Sequence, residues 1–364
     1  MARRIAILGT GLIGGSVALG VRSADPDTVV AGFDGDPTSV EEAVRRGAVT
    51  HPAATIAEAV AGADLVVLAV PVDRIPETLE RVASTMDPGT VVTDVGSAKA
   101  EVVRSAERIL GASFVGGHPM AGSERHGIAA ADAELFEDAW WILTPTTETS
   151  PGAYATVTAL VTSLGAKPVA VEPEVHDALV ARLSHLPQLA ASALVEVAAN
   201  AGDREALLGL AASGFRDVTR IAASDPDLWL AILRTNRLAI LDALAGLEGR
   251  LSGLSEMLLE DRWDELRLFL QSARTARLEL FAKPSYGGNP ITLTMLVPDR
   301  PGVLAEVTTA AGELGANIED LNIFHSTEGG RGRLEVVIAG EAKGSELRAR
   351  LVELGYHVDQ GLPE

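Results

Sequence analysis

The chain has 364 residues, 47% of them apolar, with no cysteine and with 30 basic against 50 acidic side chains, a formal net charge of −20. That length predicts two or three domains at about 100–200 residues each; the missing cysteines exclude disulfides, thiolate nucleophiles and Cys-containing zinc or iron–sulfur sites, leaving histidines and carboxylates as the candidate metal ligands. Four lysines (Lys99, Lys167, Lys283, Lys343) in an acidic chain exclude a phosphate-coating nucleic-acid surface, no apolar run approaches the ~18–20 residues of a membrane span, and a small-molecule partner in a reducing cytoplasm is expected.

Met1-Ala2-Arg3-Arg4 and the apolar stretch to Val21 have the charged and apolar regions of a signal peptide, but five glycines interrupt the stretch in a more specific pattern. Short β-branched runs then alternate with helical segments over the first ~170 residues, the mark of a parallel sheet covered on both faces. The runs are Arg4–Leu8, Val29–Asp34, Asp64–Val70, Thr90–Asp94, Ser113–Gly116, Trp140–Thr144 and Lys167–Val171.

Gly9-Thr10-Gly11-Leu12-Ile13-Gly14 follows the first run and opens a helix, where glycines permit a tight turn and let backbone N–H groups approach a pyrophosphate. Asp34 ends the second run, where a carboxylate accepts hydrogen bonds from an adenosine ribose and repels a 2′-phosphate. Gly35-Asp36-Pro37 supplies no arginine, so NAD is expected over NADP. The turns Val70-Pro71 and Gly96-Ser97 belong to the carboxyl edge of the sheet, where ligands bind in open α/β folds.

His118, in Gly116-Gly117-His118-Pro119-Met120-Ala121-Gly122-Ser123-Glu124, follows the fifth run on that edge, and its ordinary pKa of ~6.5 suits a general base. Ser97, in Asp94-Val95-Gly96-Ser97-Ala98-Lys99, either orients that histidine, contacts a nicotinamide or caps a helix.

From about Pro173 to Lys283 the strand signal disappears, and Ala/Leu-rich stretches with 3.6-residue periodicity (Glu174–Ala201, Pro226–Leu258) predict an all-helical domain. Within it, Pro187 in Ser184-His185-Leu186-Pro187-Gln188 predicts a kink, because proline lacks the donor and clashes with the Leu183 carbonyl. Ser184 and Gln188 are expected on one face at i,i+4. Asp217 and Arg220 share a face at i,i+3, which reads either as a surface ion pair or as an arginine available to clamp a carboxylate.

Helix breakers concentrate in residues 283–290, the expected linker. Beyond it the order strand (Ile291–Val297), helix (Gly302–Leu314), strand (Ile318–Ser326), strand (Gly332–Ala339), helix (Lys343–Leu354), strand (Tyr356–Asp359) predicts a ferredoxin-like βαββαβ module. The expected domains are therefore 1–172, 173–283 and 291–364, with residues 284–290 as linker. Long apolar helices in the middle domain exceed what one nucleotide domain covers, so a homodimer is expected.

Taken together, GTGLIGGS, Asp34, TDVGSAK, GGHPMAGSE, SHLPQ and FRDVTRIAASDPDLW occur in the order seen in prephenate dehydrogenases, and the sequence resembles that family with an appended ACT domain. The resemblance covers essentially the whole chain. It implies a Rossmann-type NAD domain, a helical dimerisation domain and oxidative decarboxylation of prephenate to 4-hydroxyphenylpyruvate without a metal. It further implies that His118 accepts the C4 hydroxyl proton beside Ser97, that Arg220 binds a substrate carboxylate, and that Ser184 and His185 line the pocket. Some relatives carry histidine where this chain has Gln188. Arogenate, the aminated analogue, is the nearest alternative substrate, and either Glu124 or Asp217 would suit its ammonium. Asp299-Arg300-Pro301-Gly302 and Gly315-Ala316-Asn317-Ile318 resemble the ligand turns of ACT domains: Gly302 offers a backbone amide to a carboxylate and Asn317 a side-chain amide near the amine. Tyrosine is the expected feedback effector, with phenylalanine or another amino acid as alternatives. Of the more distant readings, a β-hydroxyacid dehydrogenase of the 6-phosphogluconate type needs a lysine that residues 173–282 lack, and an amino-acid sensor that only binds NAD leaves His118, Ser97 and Arg220 without a task.

Overall fold

The computed structural model describes residues 3–122, 127–200, 213–280, 290–298, 300–325 and 331–361, and divides into two compact units, Met1–Gly253 and Leu254–Glu364. The first is built on an eight-stranded sheet. Its strands are β1 (Arg4–Leu8), β2 (Val29–Phe33), β3 (His51–Pro52), β4 (Leu65–Leu68), β5 (Val91–Asp94), β6 (Phe114–Pro119), β7 (Trp140–Thr144) and β8 (Lys167–Ala170), in the spatial order β3-β2-β1-β4-β5-β6-β7-β8. The two-residue β3 carries no periodic signal of its own. Side chains alternate across β1 as the pleat requires: Ile5 and Ile7 enter the core on one face with Val17 and Val157, while Ala6 and Leu8 enter the other with Leu79 and Val102.

Two strands depart from the expected parallel sheet, β7 and the β8 that pairs parallel with it. β7 runs antiparallel to β6, Gly116 opposite Thr144 and His118 opposite Ile142, whereas β6 begins parallel to β5 at Phe114 and Val115. The described connection between β6 and β7 contains only a short 3-10 turn, Ile128–Ala130, and without a crossover helix the chain returns in the opposite direction. β6 consequently outruns β5, and His118 lies within a strand rather than in the loop expected after it.

No strand is described between 173 and 280. Helices Pro173–Val180 and Leu186–Ala199 are joined by a π-helical turn, Ala181–His185, with Pro187 in the first turn of the second helix, so the expected irregularity at the proline takes the form of a π turn. These turns make Pro173–Ala199 a 27-residue helical run with an 18-residue window of mean hydropathy 1.2, which by length and composition alone reaches a membrane span and so exceeds the strand-sized runs seen in the sequence. Its buried polar residues are His176, Asp177, His185 and Gln188.

In the second unit, β9 (Ile291–Pro298), β10 (Ile318–His325), β11 (Arg331–Ile338) and β12 (Val358–Gly361) form an antiparallel sheet in the order β10-β11-β9-β12. Helices Val303–Glu313 and Glu341–Glu353 contribute Val307 and Leu347 to its buried face, completing the ferredoxin-like βαββαβ fold.

Candidate active site

Strand order reverses between β1 and β4, the place where open α/β sheets bind ligands. Gly9 leaves β1 with φ +101 and Gly14 packs directly under the Gly9 carbonyl, so a side chain at either position would collide with backbone. Gly11 faces open space as N-cap of the helix Leu12–Ala24, with no side chain capping it. Leu12 and Ile13 therefore begin a helix whose free N–H groups suit a pyrophosphate. Asp34 closes the cradle. Its Oδ2 accepts the Thr10 amide at 2.7 Å and the Thr10 hydroxyl at 3.3 Å, while Oδ1 accepts the Asp36 amide at 3.0 Å. Asp36 itself caps the next helix through the Thr38 amide, so a second carboxylate stands two residues beyond Asp34. Val70 is half-buried and Pro71 exposed at the end of β4. This cradle fits a dinucleotide with an unphosphorylated ribose.

Around His118, the structure assembles a network that spacing did not disclose. His118 Nδ1 lies 2.8 Å from His176 Nε2, and His176 Nδ1 lies 2.8 Å from Asp177 Oδ1. Because a carboxylate only accepts, His176 carries its proton on Nδ1 and receives one from His118 Nδ1, which leaves the lone pair of His118 on Nε2. The His176 ring is fully buried and Asp177 nearly so, whereas His118 keeps a partly accessible edge. Asp177 also accepts the amides of Lys99 at 2.7 Å and Ala100 at 2.9 Å, capping the helix Ala100–Leu110 from outside it. The alternative role of Ser97 as that helix cap is thus filled by a residue 78 positions away from Lys99. Ser97 is half-buried on the same edge, and among the described residues the hydrogen-bonded neighbour of the His118 ring is His176.

Lys99 and Asp94 form a fully buried ion pair beneath this edge. The pair grips the residue before the histidine: Lys99 Nζ donates to the Gly117 carbonyl at 2.9 Å and Asp94 Oδ1 accepts the Gly117 amide at 3.1 Å. Burial drives the Lys99 ammonium below its ordinary pKa, against the opposing pull of Asp94. Burial, His176, Lys99 and His185 together push His118 well below the usual histidine value and keep it neutral. For Asp177, burial raises the pKa, but hydrogen bonds from His176 and the Ala100 and Lys99 amides outweigh it and hold the carboxyl below its ordinary range. The clue in the sequence was Lys99, the only lysine before Lys167; for His176 and Asp177 no local signal exists.

On the helical side, His185 is buried against Trp229, ring centroids 5.9 Å apart, and its Nδ1 lies 3.3 Å from Asn236 Nδ2. Burial lowers its pKa to about 4. Ser184 is exposed whereas Gln188 is buried, so the two do not share a face as helical spacing predicted. The π turn ending at His185 adds a residue to the hydrogen-bonded ring and rotates the helix Leu186–Ala199 about its axis. Gln188 Oε1 is buried without a hydrogen-bond partner among the described residues. Arg220 opens a 3-10 turn, Arg220–Ala223, after the helix Ser213–Thr219 that carries Asp217; both side chains are exposed, and among the described residues no ion pair joins them. Glu124 and residues 284–289 of the expected linker lie outside the described residues.

In the second unit Gly302 adopts φ +93 as N-cap of the helix Val303–Glu313, with no side chain capping it. Asn317 donates from Nδ2 to Glu319 Oε1 at 2.7 Å, immediately before Ile318 begins β10.

Three family models match the chain: the nucleotide-binding domain of prephenate dehydrogenase over residues 17–170, its dimerization domain over 172–272, and an ACT domain over 291–355. The chain is 33% identical over 342 residues to the prephenate dehydrogenase of Bacillus subtilis, covering 92% of each. It is similar at 33% identity and a TM-score of 0.73 to the crystal structure of prephenate dehydrogenase from Aquifex aeolicus in complex with hydroxyphenyl propionate and NAD+, over 76% of this chain and 98% of that one. A Synechocystis arogenate dehydrogenase structure matches at 32% identity and a TM-score of 0.68, over 76% of this chain and 99% of that one. With its nucleotide cradle, helical region and C-terminal ferredoxin-like module, the chain belongs to the prephenate dehydrogenase family of oxidoreductases and carries an ACT domain.

Proposed function

We infer that the protein is an NAD-dependent dehydrogenase that oxidises and decarboxylates prephenate to 4-hydroxyphenylpyruvate. The observation that carries this reading is a neutral His118, its lone pair on Nε2, at the carboxyl edge of a sheet whose Asp34 disfavours a phosphorylated ribose. A bound nicotinamide supplies the hydride acceptor. His118 Nε2 takes the proton of the C4 hydroxyl as the hydride leaves C4, so the O–H electron pair becomes a carbonyl π bond. Loss of carbon dioxide then aromatises the ring, and His118 returns its proton to the phenolic oxygen. Ser97 borders the nicotinamide, Arg220 clamps a substrate carboxylate, and His185 and Ser184 belong to the pocket wall.

Within this reading, residues 1–172 bind the cofactor, 173–283 bind substrate and join two subunits, and 291–364 bind an effector amino acid, tyrosine, at Gly302, Asn317 and Ile318. The absence of cysteine is in keeping with a cytoplasmic enzyme. Arogenate is the second reading, and one observation favours it: the buried, unpartnered Gln188 Oε1 is an acceptor, which suits an ammonium. Steady-state rates of NADH or NADPH formation with prephenate and with arogenate, each with NAD and NADP, test both. Prephenate with NAD is expected to give the highest kcat/KM; no turnover of either substrate would overturn the assignment.

A further inference from the structure

We propose that Asp177, acting through His176, is the positioning element of the proton acceptor: it fixes the tautomer of His118 and stabilises the positive charge that the imidazole acquires during the reaction. The inference rests on His118 being the base. Its ground is the juxtaposition of three side chains in a row, Asp177 Oδ1 to His176 Nδ1 at 2.8 Å and His176 Nε2 to His118 Nδ1 at 2.8 Å.

Capping alone does not account for this arrangement. The helix Ala100–Leu110 needs only acceptors for its first amides, which the Asp177 carboxylate supplies at 2.7 and 2.9 Å. Nothing in that task requires a fully buried imidazole with one nitrogen on the anion and the other on a second histidine. A His–carboxylate pair does two things for a base: it selects the tautomer, and it holds the imidazolium without itself becoming protonated. Here the pair acts one ring removed.

The charges facing His118 support the same conclusion. From β5 and the turn after it come Asp94 and Lys99, which are paired with each other. From the helical region come His176, Asp177 and His185, the last held by Asn236 and Trp229. Asn236 also donates to the Asp177 carbonyl at 2.9 Å, fixing that residue's backbone. Among these groups Asp177 is the anion not already matched by a buried ammonium. When the substrate proton reaches His118 Nε2, the resulting cation is one imidazole away from it. The proton stays on His118 and returns to the phenolic oxygen on aromatisation, so no net proton is released.

Three variants of the full chain, assayed with NAD and whichever of prephenate or arogenate the wild type turns over, test the proposal. In Asp177→Asn the amide N–H replaces an acceptor opposite His176 Nδ1, reverses both tautomers and removes the anion; kcat should fall on the order of 10²–10³-fold, with KM and the Kd for NAD changing less than about threefold. His176→Gln offers an acceptor to His118 Nδ1 without the anion, so it should fall less in kcat than His176→Leu, which offers none. In Asp177→Asn the acid limb of kcat/KM should move to lower pH, because the imidazolium has lost its stabilising charge. Should Asp177→Asn fail to fold, His176→Gln, which leaves both caps on Lys99 and Ala100 intact, carries the test. Unchanged kcat and an unmoved limb, with only a lowered Tm, would make Asp177 a helix cap and overturn the proposal. No turnover by the wild type on either substrate would instead overturn the dehydrogenase reading itself.

Discussion

Lys99 and Asp94 are ion-paired with both side chains fully buried, and the two partners hold the N–H and the C=O of the same residue, Gly117. A side chain at Gly117 would collide with the Asp94 backbone carbonyl, so β6 is drawn tightly against β5 just where His118 begins. Lys99→Met should destabilise the fold by about 3–5 kcal/mol, since removing one partner strands a buried charge. The double variant Asp94→Asn/Lys99→Met should recover part of the loss. Urea denaturation of the two variants measures the difference, and equal losses would mean that Asp94 is solvated when alone.

Asp34 is expected to set cofactor choice by repulsion. Asp34→Ser with Gly35→Arg should lose efficiency with NAD and gain it with NADP, through removal of one negative charge and addition of a positive one. The gain with NADP should be smaller than the loss with NAD, because Asp34 also holds the Thr10 amide at 2.7 Å. The ratio of kcat/KM for the two cofactors is the readout; an unchanged ratio would remove Asp34 from the ribose site.

The pH profile reports on His118. Protonated imidazole cannot accept the substrate proton, and burial together with His176 and Lys99 disfavours that protonated form. Activity should therefore persist as pH falls through 6.5 and decline only on the acid side of it. His118→Asn should bind NAD normally, lose on the order of 10²–10⁴ in kcat, and lose that limb. A limb at or above 6.5 in the wild type would contradict the buried, neutral histidine.

Arg220 separates two expectations cleanly. If its guanidinium clamps a substrate carboxylate, Arg220→Ala should cost roughly 2–5 kcal/mol, mainly as raised KM for prephenate, with the Kd for NAD unmoved. Arg220→Lys should recover only part, because an ammonium loses the planar fork. A near-normal KM in Arg220→Ala would make the residue an ordinary exposed arginine, worth at most about 1 kcal/mol.

Effector binding is expected at the second unit's turns. Titrating tyrosine into the full chain should give saturable heat and a change in dehydrogenase rate. Asn317→Ala, which removes the side chain that donates to Glu319 at 2.7 Å, should weaken that binding without altering the rate in the absence of tyrosine. Undiminished binding to the variant would move the effector to another site.

Features recorded in local pattern were legible in the sequence: the β-branched runs of β1 to β8 other than β3, the glycine turn at 9–14, Asp34 at a strand end, the helical stretch after Pro173 and the βαββαβ order after residue 290. Each depends on residues within a few positions of one another, and periodicity or turn chemistry encodes such features directly. The direction of β7 and β8 was not legible, because a strand's pattern is the same whichever way it runs. Nor was the burial of Lys99, or the separation of Ser184 from Gln188 by a π turn, which α-helical spacing does not anticipate. The row of Asp177, His176 and His118 exists only once helix and sheet dock: His118 and His176 are 58 positions apart, and Asp177 meets the amide of Lys99 across 78. At such separations no spacing rule applies. What a buried histidine does is decided by which groups the fold brings to its two nitrogens, and that is a property of packing alone.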